Sequence, residues 1–184
     1  MTKTILQVED DPNDVFLLQH ALKKVGVKNP FQVVNDGQEA IDYLKGEGQF
    51  ADRLNFPFPC LVLLDLKLPL VMGLDVLKWI RKQIKVPLVV IVLSASAEDS
   101  DIAEAYRLGA NAFLTKPSEA SKLNDMVKAI SDFWLTHNTL PQVSEFAMAS
   151  SAPRTRRPSP FRKLAAATNG SGRPTHSHVS NPTK

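Results

Sequence analysis

The stretch VLLDLKLP, residues 62–69, decides how the chain is read. It opens as an unbroken apolar run, as a strand does when both its faces are covered. It then places a carboxylate, Asp65, where the run ends and a turn-forming proline approaches. Working outward, runs of similar character recur as TILQV (4–8), FQVV (31–34), CLVLLD (60–65), PLVVIVLS (87–94) and AFLT (112–115). Between and after them lie amphipathic segments with helical spacing. The first is capped by Asp11, has Pro12 at its first position and ends near Gly26. Others start near Asp36 and span 73–84, 98–108 and 119–135. Five βα units predict an α/β fold, a doubly wound five-stranded parallel sheet with helices on both faces.

In such sheets ligands bind beyond the carboxyl ends of the strands. The residues at those ends share a theme. Glu9, Asp10 and Asp11 follow the first strand, Asp65 ends the third, Ser94 ends the fourth, and Lys116 with Pro117 follows the fifth. Clustered carboxylates repel unless a cation sits among them, and hard oxygen ligands favour Mg2+. A phosphoryl group carried on one carboxylate explains the lysine and the hydroxyl, because its oxygens would be held by the metal, the Lys116 ammonium and the Ser94 hydroxyl. Asp65 is the expected nucleophile, since carboxylate attack on a phosphohistidine gives an aspartyl phosphate. Asp11, beside Pro12, is read as a helix cap rather than a ligand. His20 and His137 lack the partner spacing of a metal site.

The motifs VEDD, LLDLKLP, LSAS and LTKP, in this order and spacing, resemble the receiver domain of two-component response regulators, with the flavodoxin-like (βα)5 fold of the chemotaxis receiver. The resemblance implies that Asp65 is the phosphoacceptor. It implies that Asp10, Asp65 and the backbone carbonyl of Lys67 bind Mg2+, with Glu9 bound directly or through water. Ser94 matches the Ser/Thr switch position, Phe113 the aromatic switch position and Lys116 the invariant basic position. Phe113 lacks the hydroxyl of the tyrosine found in many receivers, so its switching would be one of burial and rotamer. Such a protein is no enzyme but a phosphoacceptor with slow autodephosphorylation, and its partner is a sensor histidine kinase. The insert KGEGQFADRLNFPFP (45–59) and the ending DFWLTHNTLP (132–141) are similar to the stand-alone regulators of bacterial and cyanobacterial phytochrome kinases. The resemblance thus extends to a bacteriophytochrome partner and a homodimer.

Composition divides the chain. Residues 1–141 carry 15 Lys and Arg against 18 Asp and Glu, and residues 142–184 carry 7 against 1. The first part is read as the receiver domain. The second is a basic, Ser- and Pro-rich tail too poor in apolar periodicity to offset its ordering entropy, and disorder is expected there. The tail shows neither a reading helix nor an aromatic platform, so no specific nucleic acid is expected. No apolar run approaches the roughly 18 residues of a membrane helix, and the lone Cys60 fits a reducing compartment. A cytoplasmic chain without membrane contact is predicted. Output then passes through protein contacts; a phosphorelay or phosphate-sink role, or DNA association through the tail, are the alternatives.

Two rival classes fit poorly. A dehalogenase-type phosphatase wants a second acid two residues after the nucleophile, where this chain has Lys67. A flavodoxin-type electron carrier needs a neutral phosphate loop after the first strand, where EDDPND would repel a flavin phosphate. On the last helix Leu123, Val127, Ile130 and Trp134 form a core stripe. Met126 and Phe133 beside it, with Ile102 and Tyr106 on the fourth helix, predict a dimer face formed by the fourth helix, fifth strand and fifth helix.

Overall fold

The computed structural model describes residues 3–139. The expected tail, 142–184, and its boundary with the domain lie outside the described residues. The elements alternate as β1 (Ile5–Val8), α1 (Pro12–Lys24), β2 (Phe31–Val34), α2 (Gly37–Lys45), β3 (Leu61–Leu64), α3 (Gly73–Gln83), β4 (Val89–Ser94), α4 (Asp99–Arg107), β5 (Ala112–Thr115) and α5 (Ala120–Ile130). A 3-10 turn, Gly48–Phe50, follows α2, and a π-helical segment, Ser131–His137, continues α5. The strands form one parallel sheet in the order β2-β1-β3-β4-β5, so the doubly wound fold expected from the sequence is the fold observed.

The alternation of strand side chains explains the two-layered core. Leu6, Val8, Val62, Leu64, Val90 and Val92 point to the side of α2, α3 and α4, and Ile5, Leu61, Leu63, Val89, Ile91 and Leu93 to the side of α1 and α5. The central strands β1, β3 and β4 are buried along their whole length, which is why their sequences read as continuous apolar runs. Edge strands β2 and β5 are only half covered.

The insert after α2 is packed rather than looped out. Gly46 closes α2 in the left-handed region, at φ 74°. The Arg53 guanidinium then donates to the carbonyls of Tyr43 (2.8 Å) and Leu44 (2.9 Å), in the last turn of α2, whose carbonyls a helix end leaves open, and to that of Phe56 (3.2 Å) in the insert. Tyr43, fully buried, donates its hydroxyl to Pro57 O at 2.8 Å and packs its ring on Phe50 and Phe56.

The last helix differs from its expectation as a single α-helix over 119–135. Regular winding stops at Ile130, and the next segment winds more widely, with Asn138 N donating to Phe133 O at 2.7 Å, five residues back. The wide turn moves the buried face on by one residue. Leu135 is buried where the 3.6-residue period predicts Trp134, which is half-buried. Of the expected dimer patch, Tyr106 and Phe133 are exposed, at 52% and 55%, while Ile102 and Met126 are half-buried.

Candidate functional site

The strand ends deliver the residues that the sequence singled out. Backbone hydrogen bonds carry the sheet one step past its strands: Glu9 N donates to Val34 O, Asp65 N to Val8 O, and Lys116 N to Ser94 O, at 3.0, 3.0 and 2.8 Å. Glu9, Asp65 and Lys116 are therefore fixed by main chain before any side-chain contact forms. Two glycines allow the close packing behind Asp65. A Cβ on Gly73 would lie 2.0 Å from the carbonyl oxygen of Asp65, and one on Gly37 2.0 Å from that of Val71. Between them the loop turns at Leu70, whose φ of 62° is rare for a side-chain-bearing residue.

Lys116 is the hub. Its Nζ donates to Glu9 Oε2 at 2.5 Å, to Asp65 Oδ2 at 2.8 Å and to Asp14 Oδ2 at 2.8 Å. The other oxygen of Asp65 accepts from the backbone N–H of Leu66 at 2.5 Å and of Lys67 at 3.3 Å. Asp10 completes the group: one oxygen from each of Glu9, Asp10 and Asp65 lies within 4.8 Å of the others. Asp11 caps α1 instead, its Oδ1 accepting from Asn13 N at 2.8 Å, as expected.

Burial sets the electrostatics. Glu9 is 2% exposed and Asp65 8%. Burial pushes Glu9 from its usual 4.5 up to about 7; the Lys116 hydrogen bond and charge oppose this, and the charge of Asp65 adds to it. Glu9 thus sits at a balance between burial, which favours its acid form, and Lys116, which favours its anion. For Lys116, burial alone would lower the pKa, but hydrogen bonds to Asp14, Asp65 and Glu9 outweigh it and hold the ammonium above its usual value.

Three carboxylates share one ammonium here, and two of them, Glu9 and Asp65, lie with Asp10 at metal-ligand separation. The donor set is all oxygen and partly buried, which fits a hard divalent cation. Among the described residues, no hydrogen bond ends on the Lys67 carbonyl oxygen, which leaves that oxygen's lone pairs uncommitted.

Ser94 and Phe113 are near one another in the sheet, and Ser94 is joined to the cluster by its main chain alone. Ser94 is 1% exposed, and its hydroxyl accepts from Ser96 N at 3.2 Å; among the described residues it makes no side-chain bond to Asp65 or Lys116. Val92 pairs in register with Phe113 and Ser94 with Thr115. Phe113 is half-buried against the α4 side of the core, and its N–H donates to the Tyr106 hydroxyl at 3.3 Å.

Sequence reasoning missed Asp14 and the hydrogen bond between Tyr106 and the Phe113 backbone. Asp14 was legible. It stands four, seven and eight residues before Leu18, Ala21 and Leu22, the buried stripe of α1, so it is a carboxylate on a core-facing row at the site end. The Tyr106 contact needs the α4–β5 distance and has no sequence signal.

This geometry coincides with that of a known family: the response regulator receiver domain matches residues 5–128. The chain belongs to the response regulator receiver domain family. It resembles response regulator Rcp1 of Synechocystis sp., 36% identical over 140 residues that span 76% of this chain and 93% of that protein. The crystal structure of the phosphorylated cyanobacterial phytochrome response regulator RcpA is similar, at TM-score 0.70 and 39% identity, over 77% of this chain and all of that one. So is the Mn2+-bound form of Rcp1, at TM-score 0.68 and 36% identity, covering 76% of this chain and 99% of that one. The receiver is thus related to phytochrome response regulators, a kinship that implies a histidine kinase as partner. Among the described residues no helix is long and apolar enough to cross a membrane.

Proposed function

We propose that this chain is a single-domain response regulator in which Asp65 accepts a phosphoryl group from a sensor histidine kinase and signals through phosphorylation-dependent protein contacts. The observation that carries the reading is the Lys116 ammonium, 2.8 Å from Asp65 Oδ2, beside carboxylates at metal-ligand spacing. A carboxylate oxygen of Asp65 attacks the phosphorus of a phosphohistidine, the P–N bond breaks, and the imidazole nitrogen keeps the electron pair. Lys116 and the Ser94 hydroxyl receive the phosphoryl oxygens. Glu9, Asp10, Asp65 and the Lys67 carbonyl would hold Mg2+, which when bound would neutralise charge on the transferring group. Ser94, drawn toward the phosphoryl group, vacates space that Phe113 fills, because close-packed interiors leave no such gap empty. The protein is a phosphoacceptor with slow autodephosphorylation rather than an enzyme.

The kinship with RcpA and Rcp1 supports a phytochrome-type kinase as donor. The free, half-buried Cys60 supports a cytoplasmic location. Exposed Tyr106 and Phe133 support a homodimer through α4, β5 and α5. Transfer of labelled phosphate from an autophosphorylated phytochrome kinase in Mg2+ tests the reading. It is expected with the wild type and absent with Asp65→Asn or excess chelator; undiminished labelling of Asp65→Asn would sink it. Sedimentation of the full chain tests the dimer, and a monomer at tens of micromolar, with and without beryllofluoride, would rule it out.

A further inference from the structure

All three protons of the Lys116 ammonium are committed before any phosphoryl group arrives. An ammonium offers three donors, and here they go to Glu9, Asp65 and Asp14. A phosphoryl group on Asp65 adds a further claim on the same three donors, so one acceptor must give way.

The acceptors are unequal. Glu9 is 2% exposed, and losing its cation would leave a buried carboxylate unpaired. Asp65 carries the new group. Asp14 lies in the first turn of α1 with 37% of its side chain exposed, where water can take the place of the ammonium at little cost. We infer that Asp14 is a positioning residue: it holds Lys116 toward α1 in the unphosphorylated chain and surrenders it to the phosphoryl group. Asp14 thereby sets how much of the protein is phosphorylated at a given donor concentration. The inference rests on the phosphoacceptor role of Asp65.

The same contact gives the two ends of the site a common stake. Asp14 belongs to α1 and Lys116 to the loop after β5, at the far edge of the sheet from β2. Release of Asp14 would free the first turn of α1 from that loop.

The test uses the full chain, Mg2+ and acetyl phosphate, a small donor that avoids any kinase contact. The phosphoryl group passes to Asp65 as the P–O bond breaks and acetate leaves with the electron pair. The phosphorylated fraction is read by phosphate-affinity electrophoresis at sub-saturating donor, beside a melting curve for each variant. Asp14→Asn and Asp14→Ala are expected to raise the apparent affinity for acetyl phosphate roughly threefold, the scale of a half-exposed ion pair, and Asp14→Glu to restore part of the retention. If Asp14 serves only the helix dipole at the start of α1, the melting temperature moves and the phosphorylated fraction does not. That result, or a fraction below wild type, overturns the inference. An Asp65→Asn control that labels like wild type, or a wild type that fails to label, brings down the phosphoacceptor reading as well. A blank Asp65→Asn beside an unshifted Asp14→Asn removes the inference alone.

Discussion

Two cations stand at opposite ends of the sheet and are satisfied in opposite ways. At the amino ends, the Arg81 guanidinium of α3 donates to Gly109 O, Leu88 O and Asn111 Oδ1 at 2.8, 2.9 and 2.8 Å. Asn111 Oδ1 also accepts from Val90 N, so one arginine ties α3, β4 and the α4–β5 turn together. At the carboxyl ends, Lys116 is held by three carboxylates. Arg81 faces neutral acceptors in a fixed fork, with three of its five N–H groups committed to them and no carboxylate among its partners. Lys116 is oversubscribed, a compact charge among anions that outnumber it, so its partners can be exchanged for a metal or a phosphoryl group. A half-buried cation on neutral acceptors marks framework; one among surplus carboxylates marks chemistry.

The sharpest way to break that comparison is to replace each cation by an apolar side chain of similar length. Lys116→Met is expected to lower phosphotransfer to Asp65 by about 100-fold or more, because it removes a preorganised charge from the transferring group. Arg81→Met should leave the transfer rate within about twofold of wild type while costing about 2 kcal/mol of stability, since the part-buried Leu88 carbonyl and two exposed acceptors lose a charged donor. Urea titrations beside transfer assays separate the two. Equal loss of transfer in both variants would erase the distinction.

A second measurement probes the surplus charge directly. Glu9 has its pKa raised by burial to about 7. Below that value it carries a proton, and a proton on a ligand carboxylate competes with a divalent cation. Mg2+ affinity is expected to rise from pH 5.5 to about 7 and then level off, being roughly tenfold weaker one pH unit below the midpoint. In metal-free protein the sign is reversed. A raised carboxyl pKa contributes stability that is fully present below pH 4.5 and is lost as pH rises through about 7. Calorimetric titration with Mg2+, and thermal melts in chelator, check both slopes; no pH dependence of Mg2+ affinity over this range would show that Glu9 is already ionised.

The smallest effect sharpens the framework side. Met72 stands at the cap position of α3, with no side-chain hydrogen bond to the open N–H groups there. Met72→Ser should gain about 1 kcal/mol in urea and leave phosphotransfer unchanged, as framework changes do.

The parts of the molecule readable in the sequence were those set by local pattern. Continuous apolar runs gave the central strands, Asp11 and Pro12 gave the start of α1, and the strand ends gave Glu9, Asp10, Asp65 and Lys116 as one cluster. Asp14 was available to the same reasoning through its row on α1. The π-helical end of α5 was not, since the period of a helix is assumed when a stripe is read, and the shift from Trp134 to Leu135 follows from a change in that period. Arg53 and Arg81 were equally hidden: long side chains reach backbone carbonyls that only the folded chain brings near.

Gly73 has a consequence for how this protein can vary. Its hydrogen occupies the place where a Cβ would lie 2.0 Å from the carbonyl oxygen of Asp65 and 2.7 Å from Leu66 Cα. These are main-chain atoms of the strand end that aims the acceptor, and they cannot step aside as a side-chain tip can. In a library with every position randomised and selected for signalling, position 73 should be as intolerant as position 65. Such a profile would be mistaken for a chemical role, although the residue lends the reaction no atom. It preserves an address, the point in space to which, on the proposed function, a kinase delivers its cargo.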